Sequence, residues 1–170
     1  DDMHRLSMLH ELNLYQNDFT GSLPDGFQRM VNMKHLTLSY NQFHGSLPVY
    51  MNDFTQLEEL WMTNNDFTGN LPSLANAPSL HKVYLNGNSF RGDIPEDFLQ
   101  GTVNGPQLFD LKVDLAHNEL TGMVPGSLDN LADLKINWSL GDNEWTAIDD
   151  VLCDNGNWQN GAIGEFQCSG

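Results

Sequence analysis

The sequence contains little positive charge. Only 7 of its 170 residues are Lys or Arg, against 23 Asp and Glu, and the formal net charge is -16. An acidic surface of this kind repels phosphate backbones and anionic lipid headgroups. We therefore expect neither nucleic acids nor membrane surfaces among the partners.

Long apolar runs are also missing. No stretch approaches the roughly 18 consecutive apolar residues that a membrane helix needs, and residues 1–5 lack the apolar segment of a signal peptide. We predict that this segment does not insert into a membrane. With 39% hydrophobic residues, the chain is nevertheless apolar enough to form one folded domain.

What the sequence does contain is a repeat. The phrase Leu-x-x-Leu-x-Leu-x-x-Asn, or a close variant, returns along nearly the whole chain, and its last residue falls at Asn17, Asn41, Asn65, Asn88, Asn118 and Asn143. The intervals between these residues are 24, 24, 23, 30 and 25 positions. The longest interval contains the Gly- and Pro-bearing residues 101–107, which predict a loop inserted into one turn.

Each part of the repeat has a structural role. The alternation in Leu-x-Leu predicts a short strand with two side chains inward and the middle one outward. We expect the Asn side chains of successive copies to stack and to satisfy backbone groups of the turns above and below. Five copies continue with Phe or Leu and then Gly-x-Leu/Ile/Val-Pro. In this half the Phe fills the far core, Gly allows a sharp turn, and Pro suits the start of a helical turn.

The pattern resembles leucine-rich repeats of the plant-specific class, whose mark is Gly-x-Ile/Leu-Pro after the Asn. The resemblance covers roughly residues 6–145. It implies an α/β-type repeat fold, a right-handed solenoid of about six turns over residues 1–145 with a parallel concave β-sheet and a short helical or 3-10 convex side. It also implies an extracellular or cell-surface location, because such repeats occur in receptor-like ectodomains and polygalacturonase-inhibiting proteins.

The two ends of the repeat array differ. At the C-terminus we predict a cap over residues 146–170, in which residues 146–149 fit a capping box and start a short helix. Cys153 and Cys168, the only cysteines, suit a disulfide in this cap and an oxidising compartment, and two free buried thiols in a cytosolic protein are the alternative. The N-terminus has no cysteine pair, whereas relatives often begin with a Cys-bearing cap. Our hypothesis is that this cap is missing and that the chain is a piece of a longer protein, which the resemblance to receptors implies to be membrane-anchored.

Function can be read from the outward positions of the strands, where a solenoid binds its ligands. The middle position of Leu-x-Leu is occupied by Asn13, Thr37, Trp61, Tyr84, Asp114 and Ser139. Trp61 and Tyr84 fall on adjacent strands, and together with Tyr15 and Tyr40 they are predicted ligand contacts, because aromatic side chains offer a large contact area at little entropic cost. Trp61 and Tyr84 could instead pack on each other as a cross-strand pair, and both interpretations can hold at once.

A charged column lies beside the aromatic one. It includes His35, Glu59 and Lys82, which we expect to set the charge preference of the ligand. His and Glu on adjacent strands could also bind a transition metal, but exposed ion pairs are the simpler interpretation. The sequence shows neither an activated nucleophile nor a positioned acid–base pair, and an open curved sheet cannot exclude water. We therefore predict no catalytic residue, no metal and no cofactor.

Asn137 begins the sequence Asn137-Trp138-Ser139, which fits a glycosylation sequon, and an unused match is the alternative.

We interpret the chain as an extracellular recognition module, a receptor-like or adhesion ectodomain whose concave face binds a peptide, a protein or a cell-wall glycan. One alternative is a soluble inhibitor of a secreted glycan hydrolase, whose acidic surface would favour a basic enzyme. Another is a structural scaffold whose edges mediate assembly.

Overall fold

The computed structural model describes residues 6–104, 110–131 and 136–153. The strands are β1 (Glu11–Asn13), β2 (Thr20–Gly21), β3 (His35–Thr37), β4 (Gln42–Ser46), β5 (Glu59–Trp61), β6 (Asp66–Gly69), β7 (Lys82–Tyr84), β8 (Ser89–Gly92), β9 (Leu111–Asp114), β10 (Glu119–Leu120), β11 (Met123–Val124), β12 (Ile136–Ser139) and β13 (Ala147–Ile148). Short 3-10 helices span Asp25–Arg29, Val49–Asp53, Gln100–Asn104 and Gly126–Leu131, and one α-helix, α1, spans Asp150–Cys153.

Each repeat contributes one strand to a six-stranded parallel sheet with the order β1-β3-β5-β7-β9-β12. The register is uniform, so that Leu36 pairs with Leu60 and Leu60 pairs with Val83. These three side chains are fully buried, while the residues on either side of each are partly exposed. The alternation predicted from the repeat is therefore confirmed, and the exposed positions form the concave surface of the solenoid.

A column of Asn side chains joins successive repeats. The Nδ2 group of Asn65 donates hydrogen bonds to the Met62 carbonyl of its own repeat at 3.3 Å and to the Leu38 carbonyl of the preceding repeat at 3.1 Å. Its Oδ1 atom accepts a hydrogen bond from the backbone N–H of Phe43 at 3.1 Å. The predicted stacking is confirmed, since the same contacts recur at Asn41, Asn88, Asn118 and Asn143.

A second parallel sheet, which the repeat pattern alone does not predict, has the order β10-β8-β6-β4-β2. Phe43, Phe67 and Phe90 belong to three of its strands and are buried in the core. Their rings stack in sequence, with centroids 6.1 and 6.2 Å apart. In these three repeats the Phe therefore fills the far core as predicted, and each of the three residues lies in a strand.

The Gly-x-Leu-Pro segment ends this second sheet and starts the convex side. Gly69 has a φ of +77°, a conformation that glycine tolerates, and a Cβ atom at this position would lie 3.0 Å from the Cβ atom of Ser46. Pro24 and Pro48 directly precede the 3-10 helices Asp25–Arg29 and Val49–Asp53. Proline suits these positions because its fixed φ is compatible with a helical start. The convex side has the 3-10 character that was predicted.

The last described repeat ends in α1. The carboxylate Oδ1 of Asp149 accepts a hydrogen bond from the backbone N–H of Val151 at 3.1 Å, so Asp149 caps this helix. The predicted capping box starting at Thr146 is wrong, because residues 147 and 148 after it form β13, which pairs with β11. The predicted helix itself is present, and Leu152 within it is fully buried.

Several predictions fall on other parts of the chain. Cys168 and residues 105–107 lie outside the described residues, as do the side chains of Cys153 and Asn137. The disulfide and the glycosylation site therefore stay predictions. Residues Gln100–Asn104, at the start of the predicted insertion, form a 3-10 helix. In the described ranges, every helix is too short or too polar to span a membrane.

Candidate functional site on the concave sheet

The predicted contact residues fall into two groups on the concave side. His35, Glu59, Trp61, Lys82 and Tyr84 lie on β3, β5 and β7, and we call them the central cluster. Tyr15 and Tyr40 follow the ends of β1 and β3 and form a separate exposed pair. The adjacent strands hold the central cluster together because their register aligns Trp61 with Tyr84 and Glu59 with Lys82.

Trp61 and Tyr84 stack on each other across the two strands. Their ring centroids are 4.2 Å apart, and the ring planes differ by 21°. The Nζ atom of Lys82 lies 5.8 Å from the centroid of the Trp61 ring, within the range of a cation–π contact. The cross-strand packing interpretation is therefore confirmed, and both rings remain partly exposed to solvent.

Glu59 fixes the position of the indole. The Nε1–H group of Trp61 donates a hydrogen bond to Glu59 Oε2 at 2.9 Å, and the Lys82 ammonium donates to Glu59 Oε1 at 2.8 Å. Partial burial alone would raise the pKa of Glu59, but the hydrogen bonds from Lys82 and Trp61 and the nearby positive charge outweigh it, and the net pKa lies below its ordinary value. Glu59 is therefore ionised at neutral pH and holds Trp61 and Lys82 in place.

A shallow cavity of about 380 Å³ adjoins this cluster at the starts of the strands. It is lined by acidic and basic side chains, namely His35, Glu58, Glu59, His81, Lys82, Asp110 and Lys112. The Lys34 Nζ atom pairs with Glu58 Oε1 at 2.7 Å, while His81 Nε2 lies 3.7 Å from Glu59 Oε1. Charges of both signs thus alternate along this edge of the sheet.

Four lining residues of this cavity were not among the predicted contacts, namely Glu58, His81, Asp110 and Lys112. Asp110 could have been found from the longer strand β9, because alternation places it on the same face as Lys112 and Asp114. Glu58 and His81 directly precede β5 and β7, and their side chains reach the cavity from just outside the strands. A pattern that considers only the residues within the strands does not identify them.

The second group is an exposed aromatic pair at the opposite edge. Tyr15 and Tyr40 are 49% and 47% exposed, and their rings meet edge to face with centroids 5.4 Å apart. Tyr40 has a φ of +59°, a left-handed conformation that costs a bulky residue free energy. The repeat requires this conformation because Gln16, Asn64 and Gly87 at the equivalent positions adopt it too.

These arrangements are suited to noncovalent binding. In the described ranges, no group of three His, Cys, Asp or Glu side chains lies close enough together to hold a metal ion. The central cluster combines a fixed aromatic surface with charged groups that already contact each other, which is typical of a preformed recognition surface. How each predicted residue contributes to ligand binding remains a prediction.

Comparison with known proteins agrees with the fold. The family model described as Leucine Rich Repeat matches residues 8–30, 56–76 and 79–100. No curated protein sequence matches the chain significantly.

Solved plant proteins have the same architecture. The crystal structure of a TDR receptor is 28% identical with a TM-score of 0.71, over 85% of this chain and 24% of the receptor. The Arabidopsis receptor kinase HAESA, in complex with the peptide hormone IDA and the co-receptor SERK1, is 27% identical with a TM-score of 0.70, over 80% of this chain and 22% of HAESA. A plant ice-binding protein is 25% identical with a TM-score of 0.67, over 82% of this chain and 44% of that protein. The chain therefore spans less than half the length of each of these proteins, and over the matched residues it consists of leucine-rich repeats similar to those of plant receptor ectodomains.

Proposed function

We propose that the chain is an extracellular recognition module, receptor-like or adhesive, that binds a ligand on its concave face. The observation that best supports this proposal is the Trp61–Tyr84 stack, in which Glu59 holds the indole by a hydrogen bond of 2.9 Å. Because these side chains are ordered before a ligand arrives, binding loses little side-chain entropy. The proposed contacts are the central cluster and the pair Tyr15 and Tyr40.

The similar structures support a peptide or protein among the candidate ligands. HAESA was solved with a peptide hormone and a co-receptor. The alternating charges beside the Trp61–Tyr84 stack would select ligands by charge pattern, since charge complementarity contributes more to specificity than to affinity. For a charged peptide ligand we therefore expect binding to weaken as salt concentration rises.

The test is a binding screen of secreted peptides and cell-wall glycans against two proteins, the wild type and the double variant Trp61→Ala/Tyr84→Ala. A ligand of the concave face should lose most of its affinity for the double variant, because about 0.5–1.5 kcal/mol is gained by each aromatic contact beyond the buried area. Circular dichroism melts of both proteins establish that the variant is folded.

The matched control is Arg91→Ala/Glu119→Ala, which removes an exposed ion pair from the second sheet. This control should bind like the wild type. A ligand that binds the wild type and the aromatic double variant equally well would contradict a concave site. If no ligand is found and light scattering shows a concentration-dependent oligomer, the scaffold interpretation takes the place of this proposal.

A further inference from the structure

We propose that the concave face binds a neutral glycan and that one sugar ring stacks on the face of Trp61 directed towards β3. The inference rests on the proposed function and names its ligand class. It depends on which face of the indole is still free, on the groups that surround this face, and on the charge of the protein.

Trp61 has one face covered by Tyr84 and another directed to the neighbouring strand. The two rings are nearly parallel, and their centroids are 4.2 Å apart, which is close to the spacing of adjacent strands. The rings therefore stack along the direction from one strand to the next, and each ring turns one face to a neighbouring strand. The opposite face of the indole therefore points towards β3, where its register partner is Thr37. No aromatic ring among the described residues stacks on that face. A flat ligand ring above Thr37 would continue the stack, and we call this space between Trp61 and Thr37 the slot.

The groups across from the indole on β3 and β1 are polar and uncharged, whereas Glu59 binds the N–H edge of the indole. Thr37 is short, and its neighbour on β1 is Asn13, whose Oδ1 atom accepts a hydrogen bond from the backbone N–H of Tyr15 at 2.9 Å. Within the described residues, the Asn13 amide donors and the Thr37 hydroxyl make no hydrogen bond. They remain available to the hydroxyl groups of a ligand, which both donate and accept hydrogen bonds.

A second aromatic surface on the concave side, Tyr15 and Tyr40, follows the ends of β1 and β3. Their rings are about half exposed, although burial of aromatic side chains is favourable. Two separate aromatic surfaces on the same concave side would allow a ligand with more than one ring to make contact at both. A chain of sugar residues has this property.

Charge distinguishes a neutral glycan from an acidic one. The protein has a net charge of -16, which repels polyanionic glycans at a distance. Two basic groups on this side of the sheet are already engaged, since Lys34 pairs with Glu58 and Lys82 pairs with Glu59, while Lys112 lies on β9, two strands away from Trp61. An extended peptide could not pair its backbone with β3, because β1 and β5 already occupy both edges of that strand.

The experiment uses isothermal titration with cellohexaose, xylohexaose and mannohexaose as neutral probes and an oligogalacturonide as the acidic probe. The key variant is Thr37→Tyr, whose added ring would fill the slot while it continues the aromatic stack. The matched control is Ser139→Tyr, which adds the same ring at the equivalent outward position of β12, where the register partner is Asp114 rather than an aromatic residue. All proteins are produced without glycosylation, because this change also removes the predicted sequon at Asn137.

We expect at least one neutral hexasaccharide to bind the wild type. Its affinity should fall by roughly tenfold or more in Thr37→Tyr and by no more than about twofold in Ser139→Tyr. Circular dichroism melts should show that both variants are folded, and Trp61→Ala, which removes the stacking surface itself, should also lose binding.

Two results would overturn the inference. One is that no neutral hexasaccharide binds, or that only the oligogalacturonide does. The other is that a neutral hexasaccharide binds Thr37→Tyr as tightly as it binds the wild type. A peptide that requires Trp61 and Tyr84, found while all neutral glycans fail, would overturn the glycan inference and leave the proposed function standing. A glycan or peptide ligand whose affinity does not change when the aromatic residues are substituted would contradict both the glycan inference and the proposed function.

Discussion

The two parallel sheets are built from the same repeat, but their outward faces differ. On the six-stranded sheet, Glu59 contacts both Trp61 and Lys82, and the outward side chains form a connected cluster. On the five-stranded sheet, the outward positions carry Thr20, His44, Thr68 and Arg91, and the ion pair between described residues there is Arg91–Glu119. The comparison indicates that inward columns maintain the fold on both sheets, while connected outward contacts are found on the sheet that we propose as the binding face.

The largest expected effect is on the inward face of the second sheet. Phe67→Ala removes a fully buried ring that stacks between Phe43 and Phe90, and it should lower the free energy of unfolding by about 3–5 kcal/mol. Urea denaturation followed by circular dichroism measures this loss. The matched control is Phe19→Ala, because Phe19 is 45% exposed and stacks on one side only. Equal losses at the two positions would show that the Phe column is not the core of this sheet.

The Asn column should have the next largest effect. Asn65→Ala leaves the buried N–H of Phe43 without its acceptor, and it should cost about 1–3 kcal/mol in the free energy of unfolding. Asn17→Ala is the matched control, because Asn17 is exposed and its Nδ2 group bonds only to the Leu14 and Tyr15 carbonyls of its own repeat. Urea melts should separate the two variants clearly. Similar values would mean that contacts between repeats do not depend on this column.

Both of these columns could be predicted from the sequence. Leu, Phe and Asn recur at fixed intervals because each must occupy the same place in every turn, and a repeated environment selects a repeated residue. The second sheet could not be predicted in the same way. Its strand β2 has two residues and β4 has five, so the alternation that identifies a strand is too short and too variable to detect.

The site was only partly predictable for a related reason. The repeat register places Trp61 beside Tyr84, so their proximity follows from the sequence. The hydrogen bond from Trp61 to Glu59 does not follow from it, because it depends on the side-chain rotamers of both residues. Asp110 lines the cavity from a position just before β9, which alternation along this longer strand indicates but the Leu-x-Leu positions alone do not. Sequence periodicity therefore predicts which residues share a column on the sheet. The side-chain contacts between neighbouring columns can be read only from the three-dimensional structure.

The acid titration of Glu59 tests whether the outward cluster is ordered in solution. Because its pKa lies below the ordinary value, the stability that Glu59 contributes is present above its unfolded pKa of about 4.3 and is lost as pH falls through the folded pKa. The NMR signal of the Trp61 indole N–H should therefore shift with a midpoint below the ordinary pKa of a glutamate side chain. Glu59→Gln should abolish this transition, and Glu58→Gln, which alters the neighbouring ion pair with Lys34, should retain it. A midpoint at or above the ordinary value would contradict an ordered contact.

The smallest effect is expected on the outward face of the second sheet. Arg91 and Glu119 lie 2.8 Å apart, and hydrogen bonds from Arg91 and Ser89 lower the pKa of Glu119. Both side chains are largely exposed, so water and salt screen their attraction, and such pairs contribute little to stability. Arg91→Ala should therefore leave the melting temperature and the ligand affinity unchanged, as thermal melts and titration would measure. If the melting temperature stays constant while affinity falls, the second sheet is part of the binding surface. The two outward faces would then differ in how their side chains contact each other and not in whether they bind ligand.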